Sequence, residues 1–263
     1  MKLKMAIRSI LSHPLTRGLD LDSPQTTSLR RRLIQQKSFL RQFYQDCYRL
    51  VANSLATGID GPVLELGSGG GFIKEHLTDC ITSEIQQVPA VDIILNGQQL
   101  PFGDHTLSGT VMLDVFHHVP RAKSLLREAT RCIKPGGKMV MFEPWNTRWS
   151  RFVYRNLHHE PFDPDCPQWE LPKGGPMSMA NSALPWIVFE RDRRRFETLF
   201  PEWRIEKIQL QAPFRYLLSG GVAYRSFLPG GWYGVCKRFE GLLQPWLRHW
   251  AMFALVVLKR KTP

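Results

Sequence analysis

Apolar residues recur every three or four positions over 28–55, where Leu33, Phe39, Leu40, Phe43, Tyr44, Cys47, Leu50 and Val51 are separated by Arg and Gln. That spacing gathers one apolar stripe and predicts a helix, which Gly58 and Gly61 bring to an end. The period then changes. Short apolar runs at 62–66, 80–84, 91–95, 109–114 and 137–143 read as buried strands, and helices fit 73–77 and 122–133. The later helix runs into "KPGGK", where Pro135 cannot continue a helix and glycine accepts a left-handed turn. Such alternation predicts an α/β fold, a mostly parallel sheet with helices on both faces. Beyond 144 the pattern weakens, and 145–190 reads as an inserted lid rich in Pro, Trp and His. "RDRRRFETLF" resumes a helix and "EWRIEKIQLQ" is strand-like; about forty residues then precede a last strand, "FALVVLKRK". The expected organisation is a helical extension over 1–58, then one α/β domain over 59–263 with insertions at about 145–190 and 213–250.

Composition narrows the class. A hydrophobic fraction of 43% with 22% charged residues belongs to a globular chain and excludes a disordered one. Five cysteines are scattered without CxxC spacing, which argues for free thiols in a reducing compartment and against a disulfide framework or a zinc site. The net charge of +12 favours anionic partners. The basic start "MKLKMAIRSILSHPL" is too interrupted for a secretory signal. The longest apolar run, "WAMFALVVL", is far short of the roughly 20 residues that span a bilayer. The expectation is a cytoplasmic protein with peripheral contact to the inner face of a membrane.

The chemistry begins at "VLELGSGGGF", a buried strand that carries Glu65 and runs into glycines at 67, 69, 70 and 71. In an open parallel sheet, ligands bind beyond the carboxyl ends of the strands, and missing side chains let them press on the backbone. The spacing is Glu-x-Gly-x-Gly-x-Gly, whereas the dinucleotide fingerprint places its third glycine where Phe72 stands, so a nicotinamide site matches poorly. Glu84 closes the second strand seventeen residues after Gly67, where an acid can accept hydrogen bonds from ribose hydroxyls.

Further on come "NGQQLPFGDHTLSGTVMLDVFHHVP" and "LLREATRCIKPGGKMVMFEP". With the glycine loop and Glu84, these stretches resemble the class I S-adenosylmethionine-dependent methyltransferases, specifically the broad small-molecule, type 11-like group. The resemblance covers about 61–144 and returns at the last two strands. It implies a Rossmann-like seven-stranded sheet and S-adenosyl-L-methionine as cofactor. By the same resemblance, Glu65, Gly67, Ser68, Gly69 and Gly71 hold the methionine end of the cofactor, Glu84 takes the ribose, and Asp114 adjoins the same ligand. Asn96 stands where the family has Asp against the adenine, with Gln98 in the same loop; an amide oxygen accepts that hydrogen bond without the charge. Ser108 and Gly109 replace another family Asp, one that serves the loop rather than the chemistry.

Methyl transfer requires alignment, exclusion of water and, for some acceptors, removal of a proton. Candidates therefore come from the ends of strands four and five, which place His117, His118 and Glu143 near the reacting end. The two histidines either include a base or cap a turn. The lid adds "HHEPFDPDCP", with three readings: a turn fixed by prolines, a base from His159 or Glu160, or a metal set. Neither H-x3-H nor C-x2-C spacing is present, so no metal is expected.

The acceptor is read from what is missing and what is added. The Asn/Asp-Pro-Pro-Tyr/Phe signature of base-amine methylation is replaced by "LDVF", and no cysteine serves carbon-5 chemistry, so nucleic acid ranks behind a small or lipid-linked acceptor. Trp232, Val235, Phe239, Leu242, Leu243, Trp246, Leu247 and Trp250 repeat at three and four. That stripe either packs on the core or meets an anionic membrane. The expected activity is methylation of such an acceptor, on oxygen before carbon or nitrogen, with no obligate protein partner. The alternatives are an RNA-directed methyltransferase and a catalytically silent cofactor-binding protein.

Overall fold

The computed structural model describes residues 13–16, 20–56, 58–89, 91–158, 160–172, 174–175 and 177–262. His159 and the basic start around Lys2, Lys4 and Arg8 lie outside them. Among the described residues, seven strands form one sheet in the order β3-β2-β1-β4-β5-β7-β6. The strands are β1 (Val63–Leu66), β2 (Cys80–Glu84), β3 (Ile93–Ile94), β4 (Leu107–Leu113), β5 (Ile133–Pro144), β6 (Trp203–Gln211) and β7 (Phe253–Arg260). The first five pair in parallel, while β7 enters antiparallel between β5 and β6. The order in which the strands are connected switches sides between β1 and β4, so the carboxyl ends of these two parallel strands frame a crevice.

Local chemistry explains the departures from periodicity. The first helical stretch is two helices, α1 (Pro24–Gln36) and α2 (Ser38–Leu55), divided at Lys37. Ser23 caps α1, its hydroxyl accepting from the Gln25 amide. The Lys37 ammonium is tied to the carbonyls of Gly221 and Tyr224, which draws it away from helical geometry. The stripe of α2, including Phe39, Phe43, Cys47 and Val51, is buried. Its end packs where Gly109 has no side chain, since a Cβ there would lie 2.8 Å from Leu55. The helix expected at 73–77 is a single 3₁₀ turn, Ile73–Glu75, because only seven residues separate Phe72 from Cys80. Strand β5 is longer than expected: "KPGG" is drawn into it as an irregular start, with Leu107 paired to Ile133.

Helix α3 (Ala122–Cys132) buries Leu125, Leu126 and Ala129. The 145–190 segment holds α4 (Arg148–Asn156), a short helix Leu184–Trp186 and a π turn, Ile187–Arg191, leading into α5 (Arg193–Leu199). The 232–250 stretch is divided near Pro245, as that residue predicts, into α6 (Tyr233–Leu242), a 3₁₀ turn at Gln244–Trp246 and a last turn, Leu247–Trp250. Pro245 sits at the start of that second piece, where a missing amide proton is tolerated. No helix among the described residues is long and apolar enough to cross a membrane.

Candidate active site

One cavity of about 490 Å³ opens at the carboxyl ends of β1, β2 and β4. That volume lies within the roughly 300–1,000 Å³ of small-molecule sites. Gly67, Ser68, Gly69, Gly71, Glu84, Asn96, Gln98 and Asp114 all line it. Strand β2 ends at Glu84, whose two oxygens accept from the amides of Gly69 (2.9 Å) and Ile85 (2.8 Å). Those bonds fix the carboxylate and leave each oxygen a second lone pair for a hydroxyl. Gly69 has a φ of 46° and meets no protein atom within 3.5 Å of a built Cβ, so its bare backbone faces the cavity. The other glycines serve a different neighbour. A Cβ at Gly70 would lie 2.8 Å from the backbone of Arg31, and one at Gly71 would collide with the Tyr48 hydroxyl. The loop is thus stripped partly to let α1 and α2 lie across it.

Glu65, expected to hold the methionine end of the cofactor, sits beneath the loop, almost fully buried and not among the residues that line the cavity. Burial raises its carboxyl to about 7, although the Ser68 and Tyr48 hydroxyls beside it favour the charged form. Its Oε2 has no hydrogen-bond partner. A buried acid with an unfilled acceptor position suits a cationic ligand group. Ser68 steadies this corner: its hydroxyl accepts from the Ser83 amide, and the Ser83 hydroxyl donates to the Glu65 carbonyl. On the far side, the Asn96 side-chain oxygen accepts from the Gln98 amide at 3.0 Å, which shapes the loop that would face an adenine. These features fit the zwitterionic tail, ribose and base of S-adenosylmethionine.

The opposite wall is built after β4. Asp114 takes a φ of 63°, and burial raises its carboxyl to about 6. The following 3₁₀ turn, Phe116–His118, brings the two imidazole centroids within 4.2 Å. Glu143, expected at the reacting end, lies one layer behind. It is fully buried, accepts from the amides of Val115 and Phe116, and takes the His117 Nδ1 proton at 2.8 Å. His118 Nδ1 donates to the Met179 carbonyl at 2.9 Å. Both rings then present Nε2 to Glu160, His117 to Oε2 at 3.3 Å and His118 to Oε1 at 3.5 Å. Burial by itself would lower the His117 pKa, but the carboxylates of Glu143 and Glu160 outweigh it and hold the ring well above its usual range. Burial alone would raise the Glu160 carboxyl, and the imidazoles beside it hold it well below.

Within the "HHEPFDPDCP" segment, Glu160 and His158 reach the cavity, while Asp163 accepts from the Asp165 amide in a local turn. Sequence reasoning missed the roof. Thr27, Arg30 and Ile34 of α1, Tyr44 and Tyr48 of α2, and Met177, Met179 and Tyr216 also line the cavity. The one local signal was the Tyr44–Tyr48 spacing, a single helical turn.

Residues 64–141 match the family described as "Methyltransferase domain". No curated protein matches the chain. Among solved structures, geranyl diphosphate C-methyltransferase from Streptomyces coelicolor A3(2), bound to Mg²⁺, geranyl diphosphate and S-adenosyl-L-homocysteine, superposes with a TM-score of 0.51 at 10% identity, covering 96% of this chain and 89% of that one. A geranyl diphosphate methyltransferase in complex with S-adenosylmethionine gives 0.50 at 12% identity, covering 89% and 90%. Those superpositions speak for the fold; the matched motifs and the site they build speak for the chemistry. Residues 64–141 form a methyltransferase domain, and the chain has the fold of the class I S-adenosylmethionine-dependent methyltransferases.

Proposed function

We propose that the protein methylates a hydroxyl oxygen of a small acceptor with an apolar, lipid-like body, drawn from an anionic membrane surface. The carrying observation is that the cofactor cradle and the wall of Asp114, His118 and Glu160 share one cavity, whose remaining sides include Ile34, Met177, Met179, Tyr216 and Val222. When bound, the cofactor supplies an electrophilic methyl group on sulfur. The apolar sides exclude water and hold the acceptor body, and the His118–Glu160 pair receives its hydroxyl and the proton it loses. His117 and Glu143 orient that pair from behind. A prenyl chain, the acceptor body named for the structural neighbours, has the same apolar character.

The outer surface favours a lipid source. In α6 and the turns on either side of it, Trp232, Val235, Phe239, Leu242, Trp246 and Trp250 are exposed, while Tyr233, Glu240 and Leu247 are buried. Phe152 joins this face by stacking on Trp149, which contacts Trp250. Arg151, Arg155, Arg238 and Arg248 are exposed in the same segments, and the chain carries a net charge of +12. Aromatic side chains beside cations suit an interface of acidic lipid.

The test uses cofactor carrying a labelled methyl group, incubated with a total lipid extract. Label should enter the organic phase as an ether. His118→Ala should lower its rate by about 10²-fold or more while cofactor affinity holds. Label appearing instead in added RNA, or on carbon, would overturn the acceptor assignment.

A further inference from the structure

Two features of the acceptor wall do not follow from proton transfer alone. His117 Nδ1 gives its proton to Glu143, and His118 Nδ1 gives its proton to a carbonyl, which can only accept. In the neutral rings both Nε2 atoms therefore carry lone pairs, and both are turned toward the Glu160 carboxylate, which is also an acceptor. His117 Nε2 is buried and makes no hydrogen bond. Atoms gathered in this way are held together either by a proton on an imidazole, as in the charged His117 ring, or by a metal cation in its place.

The spacing suits a metal ion. Nitrogen and oxygen ligands about 2.0–2.1 Å from a tetrahedral centre lie about 3.3–3.4 Å from one another. The His117–Glu160 and His118–Glu160 separations are 3.3 and 3.5 Å, and the three ligand atoms all lie within 4.8 Å of one another. Each ligand is also held from behind: His117 by Glu143, His118 by the Met179 carbonyl, and Glu160 by the Ser182 hydroxyl at 3.1 Å. A carboxylate or carbonyl on the second nitrogen of a ligating histidine fixes its tautomer and raises its basicity. The neighbouring set of Asp114, His117 and Glu143 lacks this character, because His117 Nδ1 and Glu143 already satisfy each other and two amides.

We propose that His117 Nε2, His118 Nε2 and the Glu160 carboxylate are the protein ligands of one divalent first-row transition-metal ion, with further coordination positions open to the cavity. Two imidazoles and one carboxylate select this class over magnesium or calcium, which prefer all-oxygen sites. The set joins a turn after β4 to a segment more than forty residues away, so no H-x3-H or C-x2-C spacing announces it. An acceptor oxygen at an open position would be held by the cation instead of by the His118–Glu160 pair directly; that use rests on the methyl-transfer reading, whereas binding of the cation does not.

The test is titration of chelator-treated full-length protein with Co²⁺, read by visible ligand-field absorption, with Zn²⁺ as competitor. Cofactor affinity is measured by calorimetry on the same samples. One ion per chain is expected, with affinity falling at least about tenfold in His118→Gln and Ser182→Ala and cofactor affinity retained. Glu160→Gln should abolish the absorption. If wild type binds the cofactor but takes up neither ion, the metal site is wrong and the methyl-transfer reading is untouched. Unchanged cobalt affinity in His118→Gln would equally overturn it. Cobalt binding without cofactor binding would leave the site standing and remove the functional reading instead.

Discussion

Glu65 shows how a single side chain can be set against stability for the sake of a ligand. Its carboxyl ionises near 7 in the folded protein, against an ordinary value of 4.5. Between those values the folded state holds a proton that the unfolded state has lost, so stability falls as pH rises through this window. Below the ordinary value both states are protonated and no penalty exists. Glu65→Gln should therefore stabilise the cofactor-free protein by roughly 3 kcal/mol at pH 8 and hardly at all at pH 4. Denaturant titrations at the two pH values check this, and equal stabilities would show that the burial penalty is absent. A cationic ligand group favours the ionised form, so calorimetry near pH 6 should detect proton release on cofactor binding that fades by pH 8.5. At this scale the sequence was informative where acids flank glycines, since Glu84 lines the cradle and Glu65 is buried beneath it. It did not show that Tyr48 reaches the loop, a contact made only through the fold.

At the scale of elements, α6 has the apolar periodicity expected of a core helix but turns that stripe outward. Its inward face is organised by charge. Arg215 pairs with Glu240, and Asp46 accepts from both Arg215 (2.9 Å) and Tyr233 (2.6 Å). The period was legible in the sequence; the direction it faces was not, because Asp46, Arg215 and Glu240 are far apart along the chain. Glu240→Gln leaves Arg215 underpaired in a buried setting and should lower stability by about 3–5 kcal/mol in chemical denaturation. Phe239→Ser with Trp246→Ser should leave the melting temperature nearly unchanged, since both side chains are more than half exposed. The same double variant should lose co-sedimentation with phosphatidylglycerol vesicles while cofactor affinity persists. A large fall in stability would show that this face is packed. Wild type ignoring acidic vesicles at low salt would remove the membrane source.

For the whole molecule, the matched family region at 64–141 supplies the sheet edge, the glycine loop and the two histidines. The acceptor side is closed by parts outside it, namely α1, α2, Met177, Met179 and Tyr216. The seven-stranded, mostly parallel sheet and the cofactor were therefore readable from local motifs, whereas the shape of the acceptor pocket depends on long-range packing that no motif records. Because α1 lies over the loop, cofactor binding should protect it. Its amides should exchange more slowly with deuterium when ligand is present. Ligand at a hundredfold excess over Kd adds about 2.7 kcal/mol, which for a chain of this size is a rise of roughly 5–10 °C in Tm. Protection confined to the sheet would show that the helical roof takes no part in the site.

The outward aromatic face also governs how the protein behaves toward copies of itself. Two such faces would bury each other in water, and the net charge of +12 opposes that contact. Added salt shortens the reach of that repulsion without weakening the apolar attraction. Salt should thus release the protein from acidic vesicles and, over the same range, drive it into self-associated species measurable by light scattering. The Phe239→Ser, Trp246→Ser double variant should stay dispersed throughout. Colloidal behaviour and lipid contact are then two readings of one surface, moved in opposite directions by the same ions.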